Sequence, residues 1–327
     1  MKRHIITLAV SCVMLNSCGI YTKYKPASEV SADLYGSEAT AQTDTVSLGD
    51  MSWREVFTDP QLQTLIEHGL ANNTDYRSAQ LRVEEAEAAL LSAKLAFLPA
   101  FAFAPQGAVS SFDSHKATQT YSIPITASWE LDIFGSIRQR VKAQRETFQA
   151  SREEYISVQV SLCAQVASAY INLRELQQEL QVVMHNCRTQ EEVLNITEVR
   201  YNTGLVSKLD VAQAKSVYFS TKASVPQLES GISQYINSLA ILLGTYPQEI
   251  RPTLERIGKL PDYMEPVGVG LPADLLLRRP DVRQAERLVN AQAALLGASK
   301  SDWLPQVFLK GSVGYAARDL KDLTRRK

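Results

Sequence analysis

Between Gly135 and Gly204 runs SIRQRVKAQRETFQASREEYISVQVSLCAQVASAYINLRELQQELQVVMHNCRTQEEVLNITEVRYNT, residues 136–203, without one glycine or proline. A single helix over this span would be about 100 Å long at 1.5 Å per residue. Apolar or small residues recur every seven positions at Val141, Phe148, Tyr155, Leu162, Ala169, Leu176 and Val183. A second seam runs four residues on, through Val166, Leu173, Leu180, Cys187 and Leu194. Paired seams at this spacing face a partner helix, as in a coiled coil. Globular helices average only about 11 or 12 residues, so this one is built for something other than ordinary packing.

The partner follows directly. Asn202-Thr203-Gly204-Leu205 reads as a turn, and Ser207 with Asp210 three residues on reads as an N-cap. The same period continues at Val211, Tyr218, Val225, Ile232 and Leu239, to an end at Gly244. Pro226 interrupts this return helix and predicts a kink or a restart, with Pro226 as first residue of a new piece. The two seams together predict an antiparallel hairpin with its tip near Gly204.

Upstream, Asp59-Pro60 predicts an N-cap followed by proline at the first helical position. That helix runs to about Phe97, with a break near Asn72-Asn73, and Leu98-Pro99 ends it. Two strand-like segments come next. Tyr121, Ile123, Ile125, Ala127, Trp129 and Leu131 alternate with Ser122, Pro124, Thr126, Ser128 and Glu130. The segment from Phe101 to Phe112 is rich in aromatic and small residues, and a polar turn from Asp113 to Thr118 joins the pair. Such alternation fits a transmembrane barrel with a wet lumen, and equally a hairpin of a soluble sandwich, and Pro124 counts against either strand.

Downstream, residues 245–272 hold five prolines and read as an irregular linker, because the next stretch repeats the first. Leu98-Pro99 matches Leu304-Pro305, an offset of 206 residues, and Asp75, Arg77, Ala79, Val83 and Leu90 meet Asp281, Arg283, Ala285, Val289 and Leu296 without a gap. A strand-like stretch begins again at Val307, Leu309, Gly311, Val313 and Tyr315.

The N-terminus sets the compartment. Lys2, Arg3 and His4 precede an apolar run from Ile5 to Leu15, the form of a secretory signal peptide. Leu15-Asn16-Ser17-Cys18 looks like the site at which bacterial lipoproteins are cleaved and acylated on cysteine. Gly19, rather than aspartate, permits outer-membrane sorting. A plain signal peptide with a chance cysteine is the alternative. From Cys18 to about residue 48 the chain is polar and reads as an extended tether.

Composition excludes several classes. Lys+Arg 34 against Asp+Glu 35 leaves no basic excess for nucleic acid. After the first twenty positions no unbroken run of about 18 apolar residues offers a spanning helix, so a crossing of the membrane must use strands. Cys163 and Cys187 lie 24 positions apart on one helix, roughly 36 Å, too far for a disulfide, and read as buried packing residues. His4, His68, His115 and His185 have no partner at ligand spacing, so no metal is expected. Neither a nucleophile with its base nor a phosphate-cradling loop stands out, so no enzyme and no cofactor is expected.

Three stretches carry a family resemblance: Asp50-Met51-Ser52-Trp53-Arg54-Glu55-Val56-Phe57 with Asp59-Pro60-Gln61-Leu62, then Trp129-Glu130-Leu131-Asp132-Ile133-Phe134-Gly135, and Leu275-Leu276-Leu277-Arg278-Arg279-Pro280-Asp281-Val282-Arg283. With the lipobox and the duplication, the chain resembles the TolC-like outer-membrane efflux factors, in their NodT-type lipoprotein branch. The resemblance implies a mainly α fold with a small β part, in which long coiled-coil helical hairpins join transmembrane β-barrel strands in a duplicated repeat. The regions are then a signal peptide (1–17), a lipid-anchored tether (18–48), a first repeat (49–244), a linker (245–272) and an incomplete second repeat (273–327). The first repeat holds a helix, a β-hairpin over 99–134 and the long helical hairpin over 135–244.

The same resemblance implies a homotrimeric duct lodged in outer-membrane lipid and lipid-anchored at Cys18, with a periplasmic helical portion. It would be coupled to a periplasmic adaptor and an inner-membrane RND-type pump that exports drugs or other small molecules. It places Asn202, Thr203, Gly204 and Leu205 at the adaptor-facing tip, where opening rather than bond chemistry would be the mechanism. For Gly204 a plain turn role stands beside this one. The sequence departs from the family in its second half, where another strand and hairpin should follow, so this chain alone is expected not to conduct ions in planar bilayers. The alternatives are a non-conducting coiled-coil lipoprotein that only binds an adaptor, and a duct for protein secretion.

Overall fold

The computed structural model describes residues 59–110, 118–261 and 278–318. The signal peptide, Cys18 and the tether therefore lie outside the described residues. Its elements are α1 (Pro60–Asn72), α2 (Thr74–Leu95), β1 (Ala100–Phe103), β2 (Gln106–Ser110), β3 (Thr118–Leu131), α3 (Ser136–Asn202), α4 (Lys208–Leu242), α5 (Pro247–Leu254), α6 (Pro280–Ser301) and β4 (Val307–Ala317). They divide into two units, one holding residues 82–153 and 281–318, the other 59–81 and 154–280.

In the second unit α3 and α4 form the expected antiparallel hairpin. None of the twelve seam positions of α3 is exposed, nor are Val211, Tyr218, Val225, Ile232 and Leu239 of α4. Leu162, Val166, Ala169, Tyr170 and Leu173 of α3 make one core with Leu62 and Ile66 of α1, Ile236 and Leu239 of α4, and Leu254 of α5. Each such aliphatic side chain contributes about 1.5–3 kcal/mol by leaving water. Farther along the hairpin, Tyr218 donates its hydroxyl to Glu191 (3.2 Å) and Lys215 pairs with Glu198 (2.8 Å). By length and composition α3 does pass as a candidate membrane span, which corrects the expectation above. Its charge-free stretch 156–173, however, includes Leu162, Val166, Tyr170 and Leu173, which are buried in protein.

Three further expectations change. Pro226 neither breaks nor restarts α4, which runs through it for 35 residues. The proline removes one N–H, the donor for the Lys222 carbonyl, and it sits on the exposed side where solvent can take that carbonyl. Residues 245–272 are not wholly irregular, because Pro247 opens the short helix α5 and buries Leu254 in the core. Cys163 and Cys187 are half-buried rather than buried, and both are free. The break at Asn72-Asn73 is present, and Asn73 explains it. Its side-chain oxygen accepts from the Tyr76 N–H (2.9 Å) to cap α2, while its amide donates to the Leu242 carbonyl (3.0 Å).

In the first unit α2 and α6 both pack on the start of α3. The repeat offset of 206 residues reappears in the elements, for Thr74–Leu95 and Pro280–Ser301 are both 22 residues long and start and end at equivalent positions. The two helices nonetheless use different faces. Leu90 of α2 packs on Ile137 and Val141, with Ala93 and Phe97 beside it. From α6 it is instead Ala291, Ala294, Gly297 and Ala298 that are buried. Arg283 grips Glu153 (2.7 Å), Arg287 meets Glu146 (3.2 Å) and Arg140 holds Asp302 (3.0 Å).

The sheet differs from the expected hairpin. The described part of the segment 101–112 holds two strands, β1 and β2, which pair with β3 in one continuous register, Phe103 opposite Ile125 and Gln106 opposite Ser122. On the far side of β3 lies β4, paired over eleven residues from Tyr121 opposite Ala317 to Leu131 opposite Val307. The gap between β1 and β2 lies where Pro124 faces Ala104. The Ala104 N–H still reaches the Pro124 carbonyl (3.5 Å), but Pro124 has no N–H to return. Both bonding groups of Pro124 point toward β1 and β2, so the ladder to β4 loses nothing. On that side Gly314 is required, since a Cβ there would stand 2.4 Å from the Ile123 carbonyl oxygen and 2.7 Å from the Pro124 Cα.

Candidate functional site

Side chains alternate across strands, so the register sorts the sheet into two faces. One face carries Phe101, Phe103 and Val109, then Ile123, Ile125 and Trp129, then Leu309, Val313 and Tyr315. The other carries mostly alanine, serine and threonine with Gln106, Pro124, Gly314 and one aromatic, Phe308, and has Glu130 and Lys310 as its charged residues among the described ones. The apolar face is not covered by protein. Phe101 and Val313 are each 72% exposed and Tyr315 is 76% exposed. An apolar surface of this kind, shared by the four strands, is unfavourable against water and suited to hydrocarbon. At its base the Trp129 indole N–H donates to the Phe97 carbonyl (2.9 Å), fixing the strand end to the tail of α2.

The hairpin tip places Asn202, Thr203, Gly204 and Leu205 together at the end of α3. The Leu205 N–H reaches the Arg200 carbonyl (2.8 Å) and the Gly204 N–H reaches the Tyr201 carbonyl (2.9 Å), the paired bonds that close a helix through a left-handed residue. Gly204 supplies that residue with φ +73°, and a Cβ there would meet nothing within 4 Å. Thr203 turns its hydroxyl back onto the Val199 and Arg200 carbonyls (3.2 and 3.0 Å). Leu205 projects into solvent, 69% exposed. The α4 side is closed by the capping box read from the sequence, with the Ser207 N–H and hydroxyl both donating to Asp210 Oδ2 (2.7 Å each). Those bonds hold the Asp210 carboxyl below its ordinary range.

Sequence reasoning missed the polar anchor of the second unit. Arg174 is 1% exposed and donates to Gln177 (2.6 Å), to the Arg256 carbonyl (2.7 Å) and to Gln61 Oε1 (2.7 Å), while its guanidinium lies 4.9 Å from the Tyr170 ring. Tyr170 in turn donates to Asp59 Oδ2 (2.9 Å), whose Oδ1 caps α1. Burial is the main cause that pushes the Tyr170 hydroxyl upward. Arg174 was legible only as one more charged position on a long helix, because two of its partners, the Arg256 carbonyl and Gln61, lie more than 80 residues away. Among the described residues no three potential ligands come together to hold a metal ion.

Comparison with known proteins agrees with these surfaces. The family model described as "Outer membrane efflux protein" matches residues 65–245. The probable efflux pump outer membrane protein TtgC of Pseudomonas putida is 31% identical over 335 residues, covering 99% of this chain and 69% of the relative. The cation efflux system protein CusC of Escherichia coli K12 is 28% identical, covering 94% and 68%. Among solved structures, the outer-membrane channel OprN superposes with a TM-score of 0.80 at 28% identity, over 93% of this chain and 69% of that one. The open state of the Neisseria gonorrhoeae MtrE outer membrane channel gives 0.79 at 26%, over 93% and 68%. A sheet with one lipid-suited face, a long helical hairpin and these relatives make the chain a member of the outer membrane efflux protein family.

Proposed function

We propose that this protein is the outer-membrane duct of a tripartite efflux system, a passive path for small molecules driven by an inner-membrane RND-type pump through a periplasmic adaptor. The sheet carries the reading, because one face holds the exposed large apolar residues of its strands and the other mostly small or polar ones, with Phe308 as the large apolar exception. Closure of such strands into a barrel requires several copies, and a homotrimer supplies them. Cys18 is the acylated residue that anchors the mature chain in outer-membrane lipid. Asn202, Thr203, Gly204 and Leu205 form the adaptor-facing tip, where exposed Leu205 offers an apolar contact on a rigid turn.

Protease shaving of whole cells tests this. The connection that holds Asp113 and His115 joins two barrel strands and is expected to be cut from outside, while the hairpin tip stays intact until the outer membrane is breached. Protection of both sites would fit a periplasmic lipoprotein that only docks on an adaptor, and would defeat the duct reading.

A further inference from the structure

Within the first unit, where the Glu130 end of β3 meets α2, α3 and α6, lies a cavity of about 710 Å³. Its floor is apolar and small, made by Ala93, Ala96, Ile137, Ala143 and Leu295. Its polar lining is Glu130 from β3, Ser136, Arg140, Gln144 and Thr147 from α3, and Gln306 just before β4. Two of the charges at this place are already balanced, since Arg140 binds both oxygens of Asp302 (3.2 and 3.0 Å) and Ser136 adds a third bond to Asp302 (3.2 Å). The Glu130 side chain has no hydrogen-bond or ion-pair partner among the described residues, and neither do the side chains of Gln144 and Gln306. Lys310 shares the polar face but lies over the Phe308 ring (5.4 Å) and does not line the cavity.

The cavity therefore has an apolar floor, one net negative charge and two uncommitted amides. Its volume lies within the range of about 300–1,000 Å³ that holds a drug-sized molecule. We infer that it is a transit subsite for an amphipathic organic cation, whose apolar body lies on the alanine floor while its positive group pairs with Glu130. Gln144 and Gln306 can each donate and accept, which suits varied polar substituents rather than one fixed ligand. A metal cation is not the occupant, because a lone carboxylate beside a guanidinium lacks a ligand set for one. The subsite rests on the duct reading, which would bring exported solutes along the polar face.

The test is equilibrium binding of rhodamine 6G, a cationic amphipathic dye, to the full chain in detergent, followed by fluorescence polarisation. Wild type is expected to bind the dye and not the anionic dye fluorescein. E130Q should weaken binding roughly five-fold, the scale of one partly exposed ion pair. A96W, which fills the cavity from an exposed position, should abolish it. E198Q removes a carboxylate from the hairpin and should change nothing. Thermal midpoints report whether each variant is folded, and if A96W is not, E130Q decides. Equal dye binding by wild type, E130Q and A96W would overturn the subsite, as would a folded wild type that binds no dye. Cell-surface proteolysis reads the duct separately, so its failure would leave the binding result standing on its own.

Discussion

Two glycines at the ends of the hairpin helices do the same backbone work under different constraints. Gly204 and Gly244 both adopt left-handed φ, +73° and +63°. At Gly204 the surroundings are open, so G204A is expected to cost only the conformational strain, about 1–2 kcal/mol. At Gly244 a Cβ would stand 2.4 Å from the Asn72 carbonyl oxygen, in the joint where Asn73 binds Leu242. G244A should therefore be clearly the more destabilised of the two in thermal or chemical denaturation. Asp210 is a residue-scale case with a pH sign. Its folded pKa is lowered, first by the Ser207 side chain and then by the Ser207 backbone. The stability from this cap is present above the ordinary carboxylate pKa and is lost as pH falls through the lowered one. S207A should raise the Asp210 pKa toward its ordinary value, measured by carboxyl ¹³C titration.

Among elements, the sheet shows how a proline can sit in a central strand. A residue's N–H and C=O point to the same side of a strand, so Pro124 can spoil one ladder and leave the other whole. Replacing it with threonine keeps the polar face and restores a donor toward the Ala104 carbonyl. P124T is expected to join β1 and β2 into one strand and add about 0.5–1.5 kcal/mol. Slow hydrogen exchange at the new amide would confirm it, and fast exchange would mean the break has another cause. The repeat names the rival cause, because β4 is the counterpart of β1 and β2 and is unbroken, with Gly311 and Gly314 in place of Pro105 and Ala108.

For the whole molecule the decisive question is which side of the sheet meets lipid. Val313 and Ser312 are neighbours on β4 with opposite faces. Arginine on a lipid-facing strand costs about 2–4 kcal/mol near the bilayer midplane, whereas lumen positions tolerate it. V313R should sharply reduce the protein recovered in outer membranes, and S312R should not. Equal recovery of the two would argue that the apolar face is covered by protein. The same scale governs α2 and α6, since equivalent sequence does not oblige equivalent packing. Leu90 is buried against Ile137 and Val141, while its counterpart Leu296 is 51% exposed.

The sequence by itself determined the long helix, its seams, the turn at Gly204, the capping box, the break at Asn72-Asn73 and the alternating strand. Each is a local periodicity or a cap within four residues, written in consecutive side chains. It also showed the duplication, because an ungapped offset survives in the residue pattern. Only the tertiary structure decided that β1 and β2 are separate strands on one side of β3, that Pro226 leaves α4 intact, and that Arg174 anchors the second unit. The strands and Arg174 depend on which partner a backbone group or guanidinium meets across 20 to more than 100 residues, and Pro226 on the solvent exposure of its side of α4. Gly314 is required by a strand nearly 200 positions earlier, a constraint that no window of sequence contains.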